Sequence, residues 1–396
     1  MKEYKLIDLF SGVGGISQGF HWAGFETVIA NEYDTSIGKA YQENFPKTKT
    51  IIGDIRELDF NQIMHENNIK PGEIDVIAGG PPCQGFSMAN RKRIEEDERN
   101  LLFLEFVRAV KAFKPKCFLI ENVMGMTAEK VAIKADEKSV VDSMTDYFSD
   151  LGYKIAFKSF KAEEHGVPQM RRRVIVIGTN IESKFDDLKY LRIGNLKKKY
   201  LSKEEMNKIE DIQHTLFEDS LNKGLKYPTT VWEAISDLPQ IEDGGGTDEM
   251  KYISKAKNSY QTLMRECSKK VYNHKSTPHS TEVLKRIAHV KQGQNFKDLP
   301  EELRTKSVHS GAYGRLTADY ITPTITTRFD TPSTGRVIHP FLNRTLTVRE
   351  AARLQSFPDH FKFIGTRTSQ GKQVGNAVPP LVAKSIAEMF INDFLS

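Results

Sequence analysis

In the first 180 residues, short apolar runs alternate with stretches of helical pattern, and this alternation limits the possible folds more than any other feature. Five runs have the length and apolar content of buried parallel strands: 4–10, 26–32, 49–54, 74–80 and 117–122. Helical patterns such as 101–113 lie between them. Because helices join neighbouring parallel strands, this order predicts a doubly wound, mostly parallel α/β sheet.

Two further apolar runs, 153–160 and 173–179, come after these five. The segment between them is too short to hold a crossover helix, so the two strands are predicted to pair antiparallel. We expect this pair at or near one edge of the sheet.

The character of the sequence changes after about residue 185. The stretch 196–211 is strongly charged, 242–250 is a glycine-rich break, and a helical pattern returns at 379–395. These changes predict two domains, with 1–185 as the first and 186–345 as a second, smaller one.

The composition, 39% hydrophobic and 28% charged, is that of an ordinary globular protein. The sequence has no run of about 18 apolar residues and no signal-peptide pattern at its N-terminus. Its three cysteines, Cys83, Cys117 and Cys267, suit neither a disulfide framework nor a zinc site. We therefore expect a cytoplasmic protein with no metal and no membrane partner, whose net charge of +5 is compatible with a polyanion.

The segment DLFSGVGG, residues 8–15, leads from a predicted strand through a glycine-rich turn into a helix. Gly12 and Gly14 allow a ligand to approach the backbone closely. Glu32 and Asp54 end the next two predicted strands, so their carboxylates are expected beside this turn, where one of them can bind ribose hydroxyls. The turn lacks the full dinucleotide-binding spacing, which favours S-adenosylmethionine. A tight turn beside ordinary surface acids is the alternative.

Cys83 comes after the fourth predicted strand in the segment GGPPCQGFS, directly after Pro81 and Pro82. The prolines restrain the backbone in front of the thiol, which a packing role does not require. A cysteine that is partly thiolate near neutral pH can act as a nucleophile, and this position indicates that chemistry. The usual structural role of cysteine suits Cys117 and Cys267 better.

Glu121 ends the fifth predicted strand, and the segment QMRRR supplies arginines near the seventh. On an extended strand, Arg171 and Arg173 point to the same side. A protonated carboxyl beside Cys83 would donate a hydrogen bond to a ring nitrogen, and the arginines would bind phosphate or base oxygens. Taken alone, an arginine run is more often a solvated surface.

These segments resemble the DNA (cytosine-5) methyltransferases of bacteria, either restriction-modification or orphan members. The motifs that carry the resemblance are DLFSGVGG, NEYD, GDI, GGPPCQGFS, ENV, GVPQMRRR, RTLTVREAARLQSFPD and GKQVGNAVPP. The likeness runs from Asp8 to Pro380, except for about 185–310. It implies a Rossmann-like sheet of the S-adenosylmethionine-dependent methyltransferase type, in a catalytic domain over 1–185 that residues 370–396 complete. It also implies a target-recognition domain over 186–345 and a hinge over 346–369.

The resemblance also implies individual roles. Cys83 would be the nucleophile that adds to C6 of a flipped cytosine, and Glu121 would support the ring at N3. The residues implied at the DNA are Gln84, Ser87, Arg171 and Arg173. The residues implied at S-adenosylmethionine are Phe10, Gly12, Gly14, Glu32, Tyr33, Asp54, Ile55, Pro82, Leu102, Asn376 and Val378.

Double-stranded DNA is the implied substrate and S-adenosylhomocysteine the product. We expect a monomer, with any cognate restriction endonuclease acting separately. A tRNA cytosine-5 methyltransferase is one alternative, although a shorter variable stretch would be expected there. A DNA-binding relative without catalysis is another, but every chemical position is filled. A nucleotide-dependent oxidoreductase would leave Cys83 unexplained.

Overall fold

The computed structural model describes residues 3–81, 102–123, 140–185, 228–304 and 311–396. Four residues that the sequence places in the site lie outside these ranges: Pro82, Cys83, Gln84 and Ser87.

Seven strands form the main sheet. They are β1 Tyr4–Leu9, β2 Phe25–Glu32, β3 Lys49–Ile52, β4 Val76–Gly79, β5 Cys117–Asn122, β6 Lys154–Lys161 and β7 Arg172–Thr179. Their order across the sheet is β3-β2-β1-β4-β5-β7-β6. The first five strands pair in parallel, and β7 pairs antiparallel with both β5 and β6. The predicted sheet and its antiparallel edge pair are confirmed.

Helices connect and cover these strands. The α-helices of the described ranges are α1 Gly15–Trp22, α2 Thr35–Asn44, α3 Phe60–Glu66, α4 Leu102–Phe113, α5 Val140–Ser149, α6 Val231–Ile235, α7 Ser259–Met264, α8 Thr281–His289, α9 Val348–Leu354, α10 Arg367–Asn376 and α11 Pro380–Met389. Side chains fix several starts. Asp34 accepts the Ser36 and Ile37 N–H groups at α2, and Thr347 and Glu350 form a capping box at α9.

The sheet buries apolar side chains on both faces, which is why its strands are continuous apolar runs. On one face, Ile7 belongs to the same apolar cluster as Phe106 of α4. On the other face, Leu6 and Val76 cluster with Ile386 of α11. Side chains that alternate along β1 therefore serve two separate cores.

Helix α11 packs against α1 and brings the end of the chain back to its beginning. A Cβ atom at Gly19 would collide with the Pro380 carbonyl oxygen, and one at Gly15 would collide with the Val378 carbonyl oxygen. Glycine at these positions allows the two backbones to touch. The segment before α11 consequently lies against the glycine-rich turn at the end of β1.

The second part of the chain contains short elements. Strand β8 Gly246–Lys251 pairs antiparallel with β9 Lys270–Lys275, and β10 Gly314–Arg315 pairs in parallel with β11 Arg336–Ile338. Many of its apolar side chains cluster with those of α9 and with Phe357 and Phe361. Val13 and Ala40 from the first part belong to the same cluster. An apolar contact therefore joins the two parts through α9.

Buried ion pairs also connect α9 to its surroundings. The Arg353 guanidinium lies between Asp359, at 2.6 Å, and Asp237, at 3.1 Å, and all three side chains are fully buried. Arg344 donates to both carboxylate oxygens of Glu350, at 2.7 and 2.8 Å. Since a buried charge without its partner is costly, these pairs favour one arrangement of α9 against the second part.

A buried polar chain lies under the glycine-rich turn. The Ser17 hydroxyl donates to Asp8 Oδ2 at 2.6 Å, and the Tyr41 hydroxyl lies 2.7 Å from the Ser17 oxygen. Asp8 Oδ1 has no hydrogen-bond partner among the described residues. Burial raises the pKa of Asp8 to about 7. The rings of Tyr41 and Phe45 lie against Gly14. Through Tyr41, the hydrogen-bonded side chains therefore pack against the glycine-rich turn.

We predict that Asp8→Asn changes how stability depends on pH. Between about pH 4 and pH 7, folded Asp8 holds a proton that the unfolded chain has released. The wild-type free energy of unfolding therefore falls as pH rises through that window. Relative to Asp8→Asn, the wild type should lose roughly 2–3 kcal/mol between pH 5 and pH 8 in urea unfolding.

Asp319 is exposed, so Asp319→Asn is the matched control and should track the wild-type curve. Parallel curves for the wild type and Asp8→Asn would show that the Asp8 carboxyl is not held protonated.

Candidate active site

The candidate site lies at the carboxyl ends of the parallel strands. The chain order reverses between β1 and β4, and open α/β sheets bind ligands at such a point. The glycine-rich turn comes directly after β1, and Gly80 and Pro81 come directly after β4. Glu32 ends β2, and Glu121 is the last residue but one of β5. The structure therefore brings these predicted site residues to one edge of the sheet.

Glu32 organises the glycine-rich turn. Its Oε2 atom accepts the Gly12 N–H at 2.9 Å, and its Oε1 atom accepts the Asp34 N–H at 2.8 Å. Burial raises the pKa of Glu32. Gly12 has φ +55°, and the space that a Cβ would occupy there is open. An open backbone next to a carboxylate with free lone pairs fits a nucleoside whose ribose hydroxyls donate to Glu32.

The neighbouring candidates differ in their exposure. Tyr33 is 73% exposed, whereas Ile55 is buried. The sequence predicts Asp54 at the end of the third strand, but β3 ends at Ile52 and Asp54 caps a short 3₁₀ turn instead. Arg56 Nη2 donates to Asp54 at 2.6 Å, and this hydrogen bond lowers the pKa of Asp54.

Four further candidates fall into two groups. Phe10 and Leu102 are partly buried against the same apolar cluster, although they are far apart in the sequence. Asn376 ends α10 with an exposed side chain, and the Val378 carbonyl contacts Gly15. The segment 376–378 therefore lies beside the glycine-rich turn, as the resemblance implies.

Glu121 and Arg173 face each other at the other end of the site. Because β7 runs antiparallel to β5, its first residues lie beside the last residues of β5. Arg173 Nε is 3.2 Å from Glu121 Oε1, an ion-pair distance. The angles at this contact do not make a hydrogen bond, and Glu121 Oε1 has no hydrogen-bond partner among the described residues. This oxygen can therefore bind a proton or accept a hydrogen bond from a ligand.

The segment that leads to Cys83 passes directly beside this pair. A Cβ atom at Gly80 would lie 3.5 Å from Glu121 Oε2. The Asn122 side-chain amide donates to the Pro81 carbonyl at 3.2 Å. The backbone is thus anchored at β5 two residues before Cys83, which itself lies outside the described ranges.

Arg171 comes directly before β7, whereas the exposed Arg172 and the partly buried Arg173 belong to that strand. The Arg171 side chain is buried, and its Nη1 and Nη2 atoms donate to the carbonyls of Gly375 at 3.0 Å and Asn376 at 3.4 Å. Burial lowers the pKa of Arg171 to about 9, so its guanidinium remains charged at neutral pH. Sequence reasoning missed these partners, which lie about two hundred positions away and carry no local signal.

The described cysteines differ from the predicted nucleophile. Cys117 is buried in β5, where burial raises the pKa of its thiol to about 12 and keeps it protonated. Cys267 is exposed. Within the described ranges, no group of three or more His, Cys, Asp or Glu side chains is placed to hold a metal ion. None of the helices described there is long and apolar enough to cross a membrane.

A family model and several known proteins match almost the whole chain. A family model described as C-5 cytosine-specific DNA methylase matches residues 4–392. The Type II methyltransferase M.DdeI of Desulfomicrobium norvegicum is 36% identical over 402 residues, covering 97% of this chain and 88% of that protein. The Type II methyltransferase M1.HphI of Haemophilus parahaemolyticus is 35% identical over 385 residues, covering 96% of this chain and 85% of that protein.

Two solved structures extend the comparison to the fold. A prophage-encoded Escherichia coli protein, assigned as a DNA modification methyltransferase, superposes with a TM-score of 0.72 at 28% identity and covers 99% of this chain and 100% of its own. A DNMT2 mutant from Spodoptera frugiperda has a TM-score of 0.57 at 15% identity, covers 98% of this chain and 100% of its own, and shows likeness of fold alone.

The family model spans nearly the whole chain, and relatives above 30% identity cover almost all of it. The chain therefore belongs to the C-5 cytosine-specific DNA methylases, a family of S-adenosylmethionine-dependent methyltransferases.

Proposed function

We propose that this protein methylates C5 of a flipped cytosine in a specific duplex DNA sequence, through a covalent bond between Cys83 Sγ and cytosine C6. The observation that carries the proposal is the Glu121–Arg173 pair beside Gly80 and Pro81. A carboxyl group and a guanidinium cation thereby stand where the chain leads into Cys83.

Cytosine C5 is too weak a nucleophile to accept a methyl group directly. Addition of the Cys83 thiolate to C6 forms a C–S bond, and a proton from Glu121 to N3 turns C5 into an enamine carbon. S-adenosylmethionine, when bound, supplies the electrophilic methyl group. Loss of the C5 proton to a base then breaks the C–S bond, frees the thiolate and returns the N3 proton to Glu121. The cytosine must leave the duplex first, because stacking shields C6.

The geometry around Glu121 supports its role as the acid at N3. Its Oε1 atom faces Arg173 without a hydrogen bond, so the carboxyl can turn toward a ring nitrogen while the guanidinium stays near. Arg173 can then bind an oxygen of the base or its phosphate. The buried charge of Arg171 reinforces the positive potential behind this pair. We place both arginines at the target nucleotide in this electrostatic sense.

The cofactor pocket is proposed at the same strand ends. Glu32 would bind the ribose hydroxyls above the open Gly12 backbone, and Tyr33, beside it, would pack against the adenine. Asp54 would accept a hydrogen bond from the nucleoside in competition with Arg56, which donates to both of its oxygens. The rest of the pocket would be formed by Phe10, Gly14, Ile55, Pro82, Leu102, Asn376 and Val378.

We assign recognition of the target DNA sequence to the second part of the chain. Residues 186–345 would read the bases, 346–369 would act as the hinge, and Gln84 and Ser87 would contact the DNA beside Cys83. The names of the Type II relatives support a restriction-modification role, in which a separate endonuclease cuts the same DNA sequence. We propose that the methyltransferase acts in the cytoplasm as a monomer.

We predict a stable protein–DNA adduct on duplex DNA that carries 5-fluorocytosine in the target sequence. Fluorine cannot leave C5 as a cation, so the C–S bond formed by Cys83 remains after methyl transfer. A denaturant-resistant complex should form only with S-adenosylmethionine and should disappear in Cys83→Ala. Glu121→Gln should slow its formation by about 10²–10⁴-fold, the range for loss of a general acid. Denaturing gel electrophoresis measures both effects.

The other two cysteines are the controls. Cys117→Ala and Cys267→Ser should form the adduct like the wild type, and peptide mass spectrometry should map the bond to residue 83. Since Cys267 is exposed, a bond mapped to it would contradict the assignment most directly. Turnover on normal DNA without any adduct would refute covalent catalysis.

We also predict that residues 186–345 determine which DNA sequence is methylated. When this stretch is exchanged with that of a relative, an active hybrid should methylate the relative's recognition sequence. Sequencing of modified bases in DNA from expressing cells measures the outcome. An active hybrid that still methylates the original sequence would show that other residues of the chain recognise the DNA.

A further inference from the structure

The segment 168–171, between β6 and β7, joins three parts of the molecule. The Met170 N–H donates to the Thr322 carbonyl at 2.8 Å, and the Thr322 N–H donates to the Pro168 carbonyl at 3.0 Å. This pairing ties the segment to the second part of the chain. The side chains of Gln169 and Arg171, both buried, extend from it in other directions.

Arg171 and Gln355 together bind the carbonyl end of α10. Gln355 Nε2 donates to the Val374 carbonyl at 2.9 Å, and Arg171 donates to those of Gly375 and Asn376. The last carbonyls of a helix have no partners within the helix, and a cation is favourable there. Of these two donors, Arg171 is the charged one.

Gln169 links the same helix end to the second part of the chain. Its Nε2 atom donates to Gln355 Oε1 at 2.8 Å, and its Oε1 atom accepts the Ile325 N–H at 2.8 Å. At Gly375, a Cβ atom would come within 2.6 Å of the Thr327 nitrogen, so the backbone of α10 touches this segment. The helix end is therefore held between Arg171 on one side and residues 325–327 on the other.

The C-terminal contribution to the proposed cofactor pocket begins at this helix end. Asn376 is the last residue of α10, and the Val378 carbonyl, two residues later, contacts Gly15 of α1. No regular structure lies between Asn376 and Pro380, so the position of this link depends on its two ends and on the apolar packing of Ala377 and Val378. Gly15 fixes one end and Arg171 holds the other.

We infer that Arg171 is a positioning residue for the cofactor pocket, since it holds the end of α10 and thereby sets Asn376 and Val378 against the glycine-rich turn. The inference rests on the proposed cofactor site and adds a role that does not require contact with the nucleotide. Arginine suits the role because its planar fork presents two N–H groups to two carbonyls at once, whereas lysine offers a single flexible ammonium.

The test is the binding of S-adenosylhomocysteine to the full-length protein without DNA, measured by calorimetry. Arg171→Met should weaken binding by at least about tenfold, because both carbonyl contacts are lost. Arg171→Lys should lie between that variant and the wild type. Arg172→Met makes the same change at the neighbouring exposed residue and should leave the affinity unchanged. Arg173→Met should also leave it unchanged, since Arg173 faces Glu121.

The outcomes separate this role from others. A folded Arg171→Met that binds S-adenosylhomocysteine like the wild type would overturn the inference. This holds even if its melting temperature or its DNA affinity falls. If Arg171→Met does not fold, the folded Arg171→Lys decides, and wild-type affinity in it would also overturn the inference. Failure of the wild type itself to bind would instead refute the proposed cofactor site. Loss of the 5-fluorocytosine adduct alone would affect only the proposed mechanism.

Discussion

The close contact between α1 and α11 is the constraint on which the rest of the site depends. Gly15 and Gly19 let the backbone of the C-terminal segment touch the helix at the end of the glycine-rich turn. Residues that are more than 350 positions apart in the chain thereby lie side by side. If either glycine carried a side chain, the segment would have to move away. The proposed cofactor site would then lose one of its walls.

Charge is distributed over this site in two layers. Glu121 and Arg173 lie partly exposed at the edge of the sheet, where a ligand can displace their contact. Behind them, Arg171 is buried and bound to carbonyls, so its position does not depend on a ligand. The antiparallel direction of β7 brings Arg173 beside the end of β5, whereas Arg171, directly before the strand, binds the end of α10.

The sequence predicts the sheet well because buried parallel strands are continuous apolar runs. It also places Glu32 and Glu121 at the strand ends where the structure has them, since acids at strand ends share one edge. It does not show that Arg171 binds the end of α10, or that Asp8 and Tyr41 meet through Ser17. Those contacts join distant elements and depend on packing. The described residues of the second part form short, irregular elements, which offer no period to detect.

The central claim is that this chain forms 5-methylcytosine in duplex DNA. Its most direct test is nucleoside mass spectrometry after the purified protein is incubated with S-adenosylmethionine and either genomic DNA or total tRNA. We expect new 5-methylcytosine in the DNA and none in the tRNA. A methyl group on tRNA cytosine alone, or on another atom of the DNA bases, would contradict the claim.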